Sequence, residues 1–164
     1  VNVKRLLALL LIATPAFAGE ITRQSVIDGM NAARAEQHLP PLRENARLDA
    51  AADDRMHDME DLGYWAHQSP DGRSPFTWLR VRNYDFEGAG ENLAAGFETE
   101  ELLMSGWMES KGHRENILSS EYQECGVAII DGGTTRRGAG KSIVVLFGKP
   151  RAATSIASTP DNRP

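Results

Sequence analysis

The chain has a single cysteine, Cys125, among its 164 residues, so no intrachain disulfide can form. Small exported domains often rely on disulfides, and this one must be held by its apolar core instead. Cys125 lies in the strand-like run Glu124-Cys125-Gly126-Val127-Ala128-Ile129-Ile130, where a buried thiol acting as a small hydrophobe outweighs a catalytic Cys–His pair. Basic clusters are equally scarce. Lys4-Arg5 and Arg136-Arg137 are the only adjacent pairs, and the formal charge is −5, which leaves no basic footprint for nucleic acid. Long apolar runs are missing too. Leu6 to Ile12 is the most apolar stretch, well short of the ~20 residues of a permanent membrane span. There is no Gly-x-Ser-x-Gly elbow and no His-x-x-x-His pair. Thr135 to Ser142 ends like a phosphate loop, but Thr135 replaces the first glycine and the segment leads into a strand rather than a helix. Gly88-Ala89-Gly90 lacks the third glycine of a dinucleotide loop and follows no evident strand.

What is present begins with Lys4-Arg5, a short apolar run and Ala16-Phe17-Ala18, the pattern of a cleavable export signal. The expected organisation is a signal peptide over 1–18, one folded domain over 19–148 and a disordered tail over 149–164. Periodicity predicts a helix over Ile21–Gln37, closed by Pro40-Pro41, and a second from the cap Asn45 to about Leu62, ended by Gly63. The second buries Leu48, Ala51, Ala52, Met56 and Met59, with Asp53, Asp54 and Arg55 on its solvated side. Ser74-Pro75 opens a short helix with Phe76, Leu79 and Val81 inward. Thr99 caps another to about Glu109, with Leu102, Leu103, Gly106 and Trp107 on one face, and Arg114–Leu118 adds a turn. Strands follow at Cys125–Ile130 and Ser142–Phe147 around a glycine-rich tip. Helices followed by a compact strand pair predict an α+β fold.

Four histidines are available. His38 stands at a helix end and reads as a cap for free carbonyls; His57 reads as a solvated surface group. His67, in Tyr64-Trp65-Ala66-His67-Gln68-Ser69-Pro70, and His113, in Lys111-Gly112-His113-Arg114-Glu115-Asn116, are flanked by aromatic or glycine residues that leave a ring nitrogen accessible. Glu91 lies in similar loop-like sequence, Gly90-Glu91-Asn92. Two imidazoles and a carboxylate suit a metal site with an open position or acid–base chemistry. Spacing alone does not choose between them.

These motifs occur in an order that resembles the CAP superfamily (SCP/PR-1-like, cysteine-rich secretory domains), most closely its small bacterial branch. The segments are Met30-Asn31-Ala32-Ala33-Arg34, Leu39-Pro40-Pro41-Leu42, Leu48-Asp49-Ala50-Ala51-Ala52, Trp65-Ala66-His67, Gly90-Glu91-Asn92-Leu93-Ala94, Gly106-Trp107 through Leu118, and Cys125-Gly126-Val127-Ala128. The resemblance implies an α-β-α sandwich around a central antiparallel sheet. It implies a cleft in which His67 and His113 hold a divalent metal, Zn²⁺ foremost, with Glu91 orienting a ligand or water or serving as the catalytic carboxylate. The family's second glutamate corresponds to Ser110 here. Glu109, one residue earlier, is turned by ~100° on a helix, which leaves the full tetrad in question. Arg114, Asn116 and Asn92 read as loop-holding hydrogen bonders. The resulting expectation is an exported monomeric binding protein, secreted or periplasmic, facing an unidentified ligand or envelope component. Its rivals are a hydrolase of peptide, ester or cell-wall bonds and a carrier of lipid or other apolar ligands.

Overall fold

A computed structural model of the chain describes residues 19–132 and 139–152. The expected signal segment, most of the glycine-rich tip and nearly all of the expected tail lie outside the described residues. The elements are α1 (Arg23–Glu36), β1 (Arg43–Glu44), α2 (Ala46–Asp61), α3 (Thr77–Val81), β2 (Phe86–Phe97), α4 (Glu100–Glu109), α5 (Lys111–Ile117), β3 (Glu124–Asp131) and β4 (Lys141–Pro150). The four strands form one sheet in the order β1-β3-β4-β2. It is antiparallel except for the short parallel pairing of β1 with β3.

Alternation along β4 creates two cores. Ile143, Val145 and Phe147 face one side with Cys125, Val127 and Ala94, under Met30 of α1, Leu103 and Trp107 of α4 and Ile117 of α5. Val144 and Leu146 face the other with Leu93 and Ala128, under Leu48, Met56 and Met59 of α2 and Leu79 of α3. The result is the expected α+β sandwich, with helices on both faces of the sheet. Cys125 is fully buried, and burial pushes its thiol up to about 12, so it packs as a hydrophobe.

Helix ends follow their local chemistry. The Thr22 side chain accepts from the Ser25 amide in a reciprocal capping box, and Asn45 and Thr99 accept from Arg47 and Leu102. Gly63 ends α2 at φ +64. His38 does close α1, but through its backbone: at φ 57 its amide donates to Ala35 and the Leu39 amide to Arg34, a Schellman arrangement.

Several expectations need correction. Arg55 is completely buried rather than solvated. Val81 is 62% and Leu102 58% exposed, and Trp78 takes the inward position on α3. Pro75 precedes α3 rather than opening it, since Phe76 is the N-cap. Glu91 lies not in a loop but within β2, the longest strand, which glycine and alanine content had hidden. β4 continues to Pro150, and Arg151 pairs with Asp85 at 3.0 Å, so ordered structure passes the expected boundary at 148.

Gly126 sets the approach of α2 to the sheet. A Cβ there would lie 2.1 Å from the Leu48 carbonyl carbon and 2.2 Å from the Asp49 nitrogen. This closeness lets Asp49 Oδ1 accept from the Val127 amide at 2.9 Å. Because backbone cannot yield as a side chain does, Gly126→Ala is expected to cost at least about 3 kcal/mol in urea unfolding. Gly112→Ala, where nothing lies within 4 Å, is expected to be neutral or stabilising by about 0.5 kcal/mol.

Candidate functional site

β2 is an edge strand, and its alternation sends neighbouring residues of Gly90-Glu91-Asn92 to opposite helical layers. Glu91 points toward α2, where its Oε2 accepts from Arg55 Nε at 2.9 Å; the two side chains are 2% and 0% exposed. Asn92 points toward α5 and donates to the His113 carbonyl at 3.1 Å. Asn116 then donates to the Glu91 carbonyl at 3.1 Å and to Asn92 Oδ1 at 2.9 Å. Gly90 makes room for this, since a Cβ there would lie 2.8 Å from the Tyr122 hydroxyl and 2.9 Å from Asn116 Oδ1. One tripeptide thereby fixes His67 from one layer and His113 from the other at the same sheet edge.

His67 sits in the bend after α2, and its Nδ1 is 2.8 Å from Glu91 Oε1. With Oε2 held by Arg55, both oxygens of Glu91 are engaged. Arg55 is itself clamped: it donates to the Tyr64 hydroxyl and the Ala66 carbonyl, and the Tyr64 hydroxyl donates to Asp58. Arg73 closes the set at 2.9 Å from Asp58. The Ala66 bond fixes the backbone next to His67, so Arg55 positions this imidazole twice, through Glu91 and through the chain. Periodicity could have flagged Arg55, since it sits beside the buried Ala51, Ala52, Met56 and Met59, but its charge argued for the solvent side.

His113 lies in α5 rather than in a loop. Its ring is half-buried and tilted against Trp107, with centroids 6.3 Å apart. The two imidazoles are biased oppositely. The Glu91 hydrogen bond is the largest influence on His67 and raises its pKa above 6.5, against an opposing effect of burial. Burial, then the charge of His67, lowers that of His113. The structure thus brings both rings to one edge within electrostatic reach. Glu109 is elsewhere: it is exposed and accepts from Ser105, one turn back on α4, at 3.4 Å. His57 is exposed as expected. Arg114 donates to the Met108 carbonyl at 2.6 Å and, like Asn92 and Asn116, serves the loop.

As a metal site this donor set is sparse. Among the described residues, no group of three or more His, Cys, Asp or Glu side chains gathers to hold a metal ion. Glu91 is committed to Arg55 and His67, which makes it an orienting group rather than a ligand. The residues that could hold a metal are the two imidazoles; His67 would offer Nε2, because its Nδ1 faces the Glu91 carboxylate at 2.8 Å, the usual outer-sphere arrangement of a ligating histidine. A cavity of about 670 Å³ lies elsewhere, between α1 and α4, lined by Ala32, Ala33, Met104 and Met108 together with the carboxylates of Asp28, Glu36, Glu100 and Glu101.

Residues 27–147 match the family model described as the cysteine-rich secretory protein family, CAP; the chain belongs to this family. It is 37% identical over 111 residues to the Bacillus subtilis (strain 168) protein YkwD, an alignment covering 68% of this chain and 43% of that one. It is 29% identical to the membrane protein YlbC of the same organism, over 66% of this chain and 31% of that one. The chain thus spans less than half the length of both relatives. Among solved structures, an extracellular protein containing an SCP domain from Bacillus anthracis superposes with TM-score 0.68 at 28% identity, covering 77% of this chain and 40% of that one. An outer surface protein of Borrelia burgdorferi gives TM-score 0.68 at 20% identity, over 78% and 92%; at that identity the likeness concerns the fold.

The opposed shifts give linkage of opposite sign. His67, raised, contributes stability that is full below 6.5 and is lost as pH rises through its folded pKa; His113, lowered, contributes stability present above 6.5 and lost as pH falls through its folded pKa. In a ¹H–¹⁵N titration of the imidazoles, His67 should titrate above 6.5 and His113 below, and Glu91→Gln should bring His67 down. Arg55→Ala, which strands buried Glu91, is expected to cost about 3–5 kcal/mol in chemical unfolding.

Proposed function

We propose that this is an exported binding protein whose His67 and His113 take up a divalent transition metal, Zn²⁺ foremost, at the edge of the sheet. The observation that carries it is the chain Arg55–Glu91–His67, which orients one imidazole from inside the protein while the second is biased toward its neutral, ligating form. Export is supported by the signal-like N-terminus and by the extracellular description of the Bacillus anthracis neighbour. No helix among the described residues is long and apolar enough to cross a membrane. A metal held there would supply a Lewis acid and a bound water. The chain's own part is to hold Glu91 fixed, keep His67 turned outward and place His113 against Trp107. Two protein ligands are one fewer than catalytic zinc sites use, so the remaining positions fall to solvent or to a ligand from outside.

The His67–Glu91 pair favours a second reading, because an imidazole oriented by a carboxylate is also a general base. Hydrolysis of peptide, ester or cell-wall bonds would then use water as the attacking group. The apolar-ligand reading has only the Met104 and Met108 side of the α1–α4 cavity in its favour, set against the carboxylates of Asp28, Glu36, Glu100 and Glu101; co-purified lipid detected by mass spectrometry would establish it.

Titration calorimetry of the metal-free protein with ZnCl₂ should show one equivalent bound. His67→Ala or His113→Ala should abolish it, and Glu91→Gln, checked for folding by circular dichroism, should weaken it about 10–100-fold. Affinity should fall on acidification from above 6.5, because protons compete first at the raised His67. Uptake unchanged by both alanine variants overturns the proposal; peptidoglycan or ester turnover without metal, lost in Glu91→Gln, moves the assignment to the hydrolase.

A further inference from the structure

The segment entering α1 carries an arrangement that the site does not use. The Gly19 nitrogen lies 2.9 Å and 3.1 Å from the two carboxylate oxygens of Glu101, in the first turn of α4. The Gly19 carbonyl in turn accepts from the Glu100 amide at 3.1 Å. A peptide nitrogen has one proton to offer two oxygens, whereas an α-ammonium has three protons and a charge. The surroundings want that charge. Glu100 and Asp28 lie close enough to act on each other electrostatically, with the Glu100 carboxylate over Gly29 of α1. Among the described residues, no Lys or Arg comes within ion-pair distance of Asp28, Glu100 or Glu101; Asp28 accepts from Gln24. Lys141 of β4 is given to Glu20, the residue after Gly19, at 3.8 Å and to Asp131 at 3.1 Å. Gly19 is also the residue directly after Ala16-Phe17-Ala18.

We propose that Glu101 is a receptor for the N-terminus created by export, so that removal of the leader converts an amide hydrogen bond into an ion pair locking α1 to α4. A signal endopeptidase adds water across the Ala18–Gly19 amide: the C–N bond breaks, Ala18 leaves as a carboxylate, and Gly19 takes up a proton as an ammonium. The ammonium then occupies the position the amide nitrogen holds, with both oxygens of Glu101 in reach. Charge-assisted hydrogen bonds are roughly twice as strong as neutral ones, and the new charge also relieves the repulsion among Asp28, Glu100 and Glu101. The Gly19 bond already holds the Glu101 carboxyl below its usual range. The inference rests on the export reading but not on metal binding.

The full chain is expressed in a bacterial host that exports it, and the released protein is sequenced from its N-terminus. Gly19 should be the first residue. Carbon NMR of the glycine-labelled protein should place the α-amine about half a pH unit above the usual ~7.7–8.0, and Glu101→Gln should return it there. Acetylating Gly19 keeps an N–H but removes the charge, and should lower the Tm by about 2 °C in the parent and not in Glu101→Gln. A different first residue, an ordinary α-amine pKa, or equal Tm with and without acetylation overturns the inference. Zinc titration of the same sample reads the metal proposal separately, and an uncleaved chain retained in the cell counts against export itself.

Discussion

The buried pair of Arg55 and Glu91 is the constraint on which the site depends. Two charges with almost no access to water are costly to bury and persist only when each is well partnered. Glu91 is used up by Arg55 and His67. Arg55 spreads its donors over Glu91, Tyr64 and Ala66, with Asp58 behind, and its plane stacks on Trp78 with 4.9 Å between the guanidinium carbon and the ring centroid. Apart from Asp58, which lies in α2 itself, these contacts cross between elements: α2 to β2, α2 to the bend after it, α2 to α3. The pair therefore does for the polar edge what Leu48 and Met56 do for the core. It fixes α2 against the sheet, and the position of His67 follows.

The second half of the site is fixed by packing on Trp107 and by a hydrogen-bonded pair of asparagines. Asn92 and Asn116 bind each other and the carbonyls of His113 and Glu91, so α5 hangs on the back of the strand that carries the carboxylate. Residues adjacent in β2 thus control both imidazoles from opposite faces of the sheet, because strand side chains alternate with period two. At this edge the two rings come within electrostatic reach of each other. An edge strand is ordinarily a liability; here it carries the candidate site.

How much of this was legible in the sequence depended on the kind of residue. Helices with apolar periodicity and polar caps were readable nearly to the residue, as Asn45, Gly63 and Thr99 show. β2 was not, because Gly-Ala-Gly-Glu-Asn has neither β-branched residues nor clean alternation; its register comes from ten pairings with β4, which are tertiary facts. Arg55 was misplaced for a related reason. Its spacing put it beside buried residues, but a charge reads as solvated unless its partner, Glu91, is known to arrive from a strand 36 residues away. His67, His113 and Glu91 stood out by their aromatic- and glycine-flanked context, and the resemblance of ordered motifs joined them into one candidate site; spacing could not, since imidazoles so far apart in the chain carry no shared local signature.

The same reasoning explains how a domain of this family holds together with one cysteine. Arg34 is 1% exposed and, among the described residues, has no carboxylate partner. Its guanidinium instead donates to the carbonyls of Pro40, Ile117, Ser119 and Tyr122, and burial lowers its pKa. Three of these bonds join α1 to the end of α5 and the loop before β3, across 83 to 88 residues of sequence. A disulfide over that interval would act mainly by restricting the unfolded chain. Arg34 acts on the folded state, by satisfying carbonyls that the end of α5 and the turn after it would otherwise leave buried without donors. The cost of burying its charge is offset by this set of bonds, which water cannot easily replace once the core closes. Long-range tethering in this chain is therefore done by two buried guanidiniums, Arg34 across the α1–α5 layer and Arg55 across the α2 layer, and the second of them also carries the site.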